Sequence, residues 1–227
     1  SMDSELIHNK IVFFNRPMDP AIINTMQSYI AAADQRVYGA IEAAKYDAAG
    51  VIVRSLTTRL DDFPHTGVMR YKEEIKKIPA VAVSTNDADV LSKWLKEDPD
   101  LTCKIIINCK HYPDTQSFNV IGEIKGVQYP DEIIVVGGHL DAWFNTEGAH
   151  DDGAGCIHAM EVLRLFKKLK LKPKRTIRAV LFIDEEIMQT GSKKYAEIVK
   201  LNKEKHCVAI EPERGGLLPK GFTIDAS

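Results

Sequence analysis

Short apolar runs alternate with longer stretches of helical periodicity along most of this chain. Lys10–Phe14 (KIVFF), Val51–Arg54 (VIVR) and Ala80–Ser84 (AVAVS) have the length and β-branched content of strands. Asp19–Ala33, with Pro20 suited to a first turn, and Tyr38–Ala49, ended by Gly50, are expected to be helical. Ser55–Lys77 holds Pro64, Gly67 and many charges, so a long loop is expected. Asn86 or Asp87 is expected to cap a helix over Ala88–Lys96, with Pro99 beyond its end. Cys103–Cys109 is β-branched and reads as a further strand.

The pattern then changes. Phe118–Lys125 and Glu132–Gly138 read as two strands of a hairpin or meander joined by GVQYPD. Asp152 is placed to cap a helix over Gly153–Lys170, whose Ile157, Met160, Leu163 and Phe166 fall on one face. Lys167, Lys168 and Lys170 sit in its last turn, where cations suit the helix dipole, and Pro173 blocks continuation. A strand over Arg178–Ile183, a helix over Ser192–Leu201 and a strand over Cys207–Ile210 follow. Strand–helix–strand–helix–strand predicts an α/β fold with a mainly parallel, mixed sheet. The polar turn residues of KHYPDTQS, residues 110–117, divide the two patterns and suggest domains over 1–115 and 116–227.

Composition narrows the function classes. Apolar residues make up 44% of 227, enough for a sizeable core. A net charge of −2 gives no electrostatic reason to expect a nucleic-acid or membrane partner. No apolar run approaches the ~20 residues needed to span a bilayer. The basic run Lys167–Arg175 lacks interleaved aromatics and reads as a solvated helix end. The four cysteines are too few and too scattered for a disulfide scaffold, and small buried thiols are expected. On a strand, Cys103 and Cys109 would lie about 20 Å apart, well beyond the ~7 Å that a disulfide tolerates between Cα atoms.

The candidate chemistry gathers where three apolar runs end. Ile133–Gly138 runs into His139 and Asp141, Arg178–Ile183 into Asp184, Glu185 and Glu186, and Cys207–Ile210 into Glu211 and Glu213. Asp151 and Asp152 open the helix between the first two. Metal-binding residues at strand ends are how an open α/β sheet builds a site. His139 offers a ring nitrogen to a metal, and Asp141, two residues on, is placed to orient it. Asp is also a preferred helix cap, so Asp152 can cap while Asp151 faces a metal. Of two successive acids, Glu186 can bind metal while Glu185 takes a proton from the attacking water. No HExxH, GxSxG, Walker or GxGxxG motif is present.

The runs GGHLDAWFNTEGAHDDGAG and KPKRTIRAVLFIDEE resemble the co-catalytic zinc aminopeptidase and glutamate carboxypeptidase family. AIEAAKYDAAGVIVRS, PHTGVMRY, KIPAVAVSTNDAD and YPDTQSFNVIGEIKG extend the resemblance over roughly residues 9–225. It implies a zinc exopeptidase acting on dipeptides or short peptides, with two Zn2+ per complete site. It also implies a protease-associated insert over 1–115 and part of the catalytic domain over 116–227. His139, Asp151, Glu186 and Glu213 are the implied metal ligands, Glu185 the general base and Asp141 the partner of His139. A cis peptide at Asp151–Asp152, a homodimer and a secreted or lysosomal location are implied as well.

The chain departs from the family in three respects. Glu213 stands where the family has Asp, and Met188 where it usually has Gly. The family's last ligand is a distant downstream His, whereas the last histidine here is His206. The resemblance therefore implies an internal piece of a longer protein, inactive by itself. A receptor-like protein with a degenerate metal site, and an aminopeptidase of the same family, are the rival readings. His65 in PHTGVMRY reads either as a substrate contact or as a structural loop residue, and Trp143 and Phe144 as pocket lining or packing.

Overall fold

A computed structural model describes residues 4–110 and 112–213, with 216, 218, 221 and 224 beyond them. The chain divides into two compact units, 1–111 and 112–227.

In the first unit, α1 (Ser4–Ile7) leads into β1 (Ile11–Phe14). Helices α2 (Thr25–Val37) and α3 (Gly39–Ala44) precede β2 (Gly50–Arg54), and β3 (Ala80–Val83) precedes α4 (Thr85–Glu97). The strands are parallel, in the order β1-β2-β3. All five residues of the central β2 are buried, which is why Val51, Ile52 and Val53 form a continuous apolar run. Ala40, Ala43 and Ala44 carry so little bulk that α3 lies close against Val51 and Val53.

Several boundaries differ from the sequence expectation. The Asn24 side chain accepts the Gln27 N–H, so α2 starts there and not at Pro20. Helix α3 is shorter than Tyr38–Ala49. Ser84, not Asn86 or Asp87, caps α4: its hydroxyl accepts the Asp87 N–H at 2.9 Å and donates to the Asp87 carboxylate at 2.8 Å. Cys103–Cys109 is not a strand. β-branched content makes a strand only where a partner edge and a core face are both available, and most of this segment is exposed. The geometric argument against a Cys103–Cys109 disulfide loses its premise, although all four cysteines are free. Only Cys156 is buried, against the expectation for the other three.

The second unit holds β4 (Val120–Ile124), β5 (Tyr129–His139), α5 (Ala154–Lys168), β6 (Arg175–Phe182), α6 (Thr190–Asn202) and β7 (Lys205–Ile210). Its sheet runs β4-β6-β5-β7, with β6, β5 and β7 mutually parallel and β4 antiparallel to β6. The expected hairpin does not form, because β6 lies between β4 and β5. Their connection instead crosses the start of β6. The N–H groups of Val127 and Gln128 donate to the carbonyls of Pro173 and Lys174, and that of Gly126 to the Thr176 hydroxyl. A Cβ on Gly126 would lie 2.6 Å from the Lys174 oxygen, so the crossing needs glycine. Glu123 and Arg178 face each other across the β4–β6 ladder and pair at 3.0 Å.

Helix α5 turns a different face to the sheet from the one expected. Gly155, Cys156 and Ala159 are buried, and Leu163 packs beside them. Ile157 and Met160 are exposed. Small side chains let the helix approach the sheet closely, and this outweighs the burial that larger side chains would gain.

Helix α6 meets the sheet through Tyr195, whose ring packs edge-on against Phe182. Its hydroxyl accepts from Arg178 Nη1 at 3.1 Å and lies 2.9 Å from His206 Nε2. With Arg178 donating, the Tyr195 O–H points at an unprotonated His206. Burial lowers the His206 pKa below its ordinary 6.5, against the pull of Glu204. A depressed folded-state pKa means that the unfolded chain takes the proton more readily. The contribution of His206 is therefore full above about pH 6.5 and lost as pH falls toward the folded-state value. His206→Asn is expected to lose less stability on acidification than the parent, read from urea midpoints at several pH values. An unchanged acid slope would exclude His206 as its source.

Candidate metal centre

The carboxyl ends of β6, β5 and β7 lie side by side, with His139 opposite Phe182 and Val136 opposite Ile210. This topology brings the three acid-tipped strand ends together. His139, the last residue of β5, is 1% exposed. Its Nδ1 lies 2.8 Å from the Asp141 carbonyl oxygen. That contact makes Nδ1 the protonated nitrogen and leaves Nε2 as a ligand atom. Burial lowers the His139 pKa, but the Asp141 carbonyl and the charges of Asp152, Glu185 and Asp141 outweigh it, and the net direction is upward.

Asp141 thus orients His139 chiefly through its main chain, its carboxylate being 3.8 Å from Nδ1. The carboxylate does something the sequence did not suggest: it accepts the N–H groups of Glu185 at 3.0 Å and Glu186 at 3.2 Å. One residue after β5 therefore sets both the histidine and the acid pair after β6.

Asp151 and Asp152 are joined by a cis peptide, as the resemblance implied. Asp151 Oδ1 lies 3.2 Å from His139 Nε2. Asp152 is buried, and its two oxygens accept the N–H groups of His139 and Gly155, each at 3.0 Å. It thereby caps the start of α5 and ties that helix to the end of β5. A Cβ on Gly138 would lie 2.6 Å from the Cys156 nitrogen, so this strand and helix meet at van der Waals limits.

His139, Asp151 and Glu186 each offer one donor atom within 4.8 Å of the others, and so do His139, Glu185 and Glu213. All five residues expected to bind metal or act as base thus converge. Glu185 Oε2 is 3.9 Å from His139 Nε2. Burial first, then the charges of Asp151 and Glu185, raise the Glu186 pKa, while His139 and a hydrogen bond from Trp143 oppose the rise. A bound cation would relieve the repulsion among carboxylates crowded in this way. One imidazole with carboxylates is a donor set that suits zinc. Phe144 is 87% exposed and packs little. His65 donates its backbone N–H to Ser55 Oγ in the first unit. Of the run EPERGG, Arg214 and Gly215 lie outside the described residues.

Fold and donor set define an α/β domain with a candidate metal centre at its strand ends. Residues 119–221 match the model of Peptidase family M28. It is similar to carboxypeptidase Q of Bos taurus and of Homo sapiens, 36% identical to each over 96% of this chain and 44% of theirs. The chain thus spans less than half the length of these relatives. A Peptidase M28 precursor from Shewanella amazonensis SB2B has the same architecture, with a TM-score of 0.79 and 36% identity over 91% of this chain and 46% of its own. Among the described residues, no helix is long and apolar enough to cross a membrane.

Proposed function

We propose that the intact protein is a zinc-dependent exopeptidase that hydrolyses dipeptides or short peptides, with Glu185 as general base. The convergence of His139, Asp151 and Glu186, with Glu185 beside them, carries this reading. When bound, zinc supplies Lewis acidity toward the scissile carbonyl and acidifies the attacking water. The chain's own residues do the rest. His139, held by the Asp141 carbonyl, presents Nε2. Asp151, Glu186 and Glu213 would offer carboxylate oxygens to zinc beside His139. Glu185 takes the proton of the water at Oε2 and returns it to the leaving amine nitrogen.

Similarity to carboxypeptidase Q supports the carboxypeptidase activity, and the dipeptidase activity rests on the family resemblance. The homodimer, the secreted or lysosomal location and a protease-associated role for residues 1–115 rest on the family resemblance. The 227-residue chain taken alone is expected to show no steady turnover.

The test is zinc content and turnover of unblocked dipeptides by the full-length protein. Activity should disappear with a chelator and return with zinc. Zinc-independent turnover, or a protein that binds no zinc, would remove the proposal. Asp141→Ala should weaken zinc binding about ten- to a hundredfold, because it frees the backbone that carries the acid pair. Competition with a chromophoric chelator measures this, and unchanged affinity would deny Asp141 that role.

A further inference from the structure

We propose that Gln189 is a positioning residue for Glu185, holding one carboxylate oxygen so that the other faces the metal cluster. The proposal rests on the reading of Glu185 as general base. Gln189 Nε2 donates to Glu185 Oε1 at 3.1 Å, while Oε2 lies 3.9 Å from His139 Nε2. The two oxygens therefore have different partners. Without the amide, rotation about the terminal torsion of a glutamate exchanges them readily. With it, Oε1 is occupied, and the basic lone pair presented to the water is that of Oε2.

The donor is itself fixed. The segment between β6 and α6 closes on itself where Gly191 N donates to the Ile183 carbonyl at 3.1 Å. Asn119 clamps the same two residues: its Oδ1 accepts the Ile183 N–H at 3.1 Å, and its Nδ2 donates to the Gly191 carbonyl at 2.9 Å. A Cβ on Gly191 would lie 2.3 Å from the Ile183 oxygen, so the closure leaves no room for a side chain. Asp184 Oδ2 accepts the Thr190 hydroxyl at 2.6 Å and its N–H at 3.3 Å. Inside this closed loop Gln189 adopts a left-handed backbone, φ 55°. Glycine takes that conformation freely and glutamine does not. Asp184 of the same loop shares this conformation, so the backbone alone assigns no role, and the bond of the Gln189 amide to the candidate base carries the proposal.

The alternative is that Gln189 only shapes the entry to α6. Two variants in the zinc-loaded full-length protein separate these roles. Gln189→Met keeps the length of the side chain and removes the donor. Gln189→Gly removes the donor and also relieves the backbone. Each is expected to lower kcat about fivefold, the loss of one partly exposed hydrogen bond to a charged group. KM and zinc affinity should be unchanged, and the melting temperature of the Gly variant should not fall. Gln189→Glu, which sets a like charge beside Glu185, should lower kcat further.

A second readout needs no metal. The Gln189 side-chain amide resonances of the metal-free protein, assigned by their loss in Gln189→Met, should shift in Glu185→Ala and not in Glu161→Ala. Unchanged kcat in the Met and Gly variants would overturn the proposal. So would recovery of kcat in Gln189→Gly alone, or amide resonances indifferent to Glu185. If Glu185→Gln abolishes turnover while Gln189→Met does not alter it, only the positioning role falls. If Glu185→Gln leaves turnover intact, the base assignment falls and the proposal with it.

Discussion

Glu185→Gln in the zinc-loaded full-length protein is expected to keep its metal and to lose about 10²–10⁴-fold in kcat, the range for a positioned general base. The amide is isosteric with the carboxylate and can still accept from Gln189, but it has no basic lone pair for the proton of the water. We propose this division of labour, although Glu185 also offers an oxygen beside His139 and Glu213. Glu186 shares the donor set of His139 and Asp151, and burial raises its pKa first among several causes. A buried acid crowded by like charges gains most from direct contact with a cation. Glu186→Ala is therefore expected to lose zinc, and turnover with it. Metal analysis and steady-state kinetics on the two variants decide the matter. Unchanged turnover in Glu185→Gln would sink the mechanism, and zinc retained in Glu186→Ala would remove Glu186 from the ligand set.

Gly155→Ala is expected to destabilise the second unit by about 3 kcal/mol or more, the upper range for overpacking. A Cβ there would lie 2.2 Å from the Pro212 carbonyl oxygen and 2.3 Å from Asp152 Oδ1. Neither atom can yield cheaply. Pro212 belongs to the backbone after β7, and Asp152 is buried with both oxygens bonded to main-chain N–H groups. Relief would require α5 to move off the sheet, taking Asp152 and its neighbour Asp151 away from His139. Urea unfolding followed by far-ultraviolet circular dichroism measures the loss. Gly216→Ala is the control, since a Cβ there meets nothing within 4 Å, and it should change stability by less than ~0.5 kcal/mol. Equal behaviour of the two variants would mean that the contact of α5 with Pro212, after β7, is not close-packed.

The grouping of His139 with its neighbouring carboxylates was more legible in the sequence than the sheet that carries it. His139, Glu185, Glu186 and Glu213 were marked by one local signal, an acid or histidine just after an apolar run, and Asp151 by its place at the opening of a helix. The structure brings all five together, because parallel neighbours align their carboxyl ends. Residues that act at a distance left no such mark. Asn119 clamps the two ends of the Glu185 loop from a position more than sixty residues earlier, and nothing in its neighbours announces this. Asp141 was recognised as a partner of His139, yet its carboxylate serves the main chain of the acid pair. Side-chain identity reveals what a residue can bond, not which backbone the fold will bring to it.

Alternation and apolar run length determined that this chain forms strands and helices in an α/β order, because burial of one face or both is written in local periodicity. Residue type marked the candidate chemistry, because His, Asp and Glu side chains supply donor atoms that suit a divalent cation. Strand order was decided by tertiary structure alone. Sequence neighbours β4 and β5 are separated by β6, since the connection at Gly126 can cross the start of that strand and β5 gains two parallel partners in its place. Tertiary structure also decided which face of α5 is buried. Gly155, Cys156 and Ala159 permit a close approach that the larger Ile157 and Met160 would prevent. Both outcomes depend on distances between segments remote in the chain, and no local pattern encodes those distances.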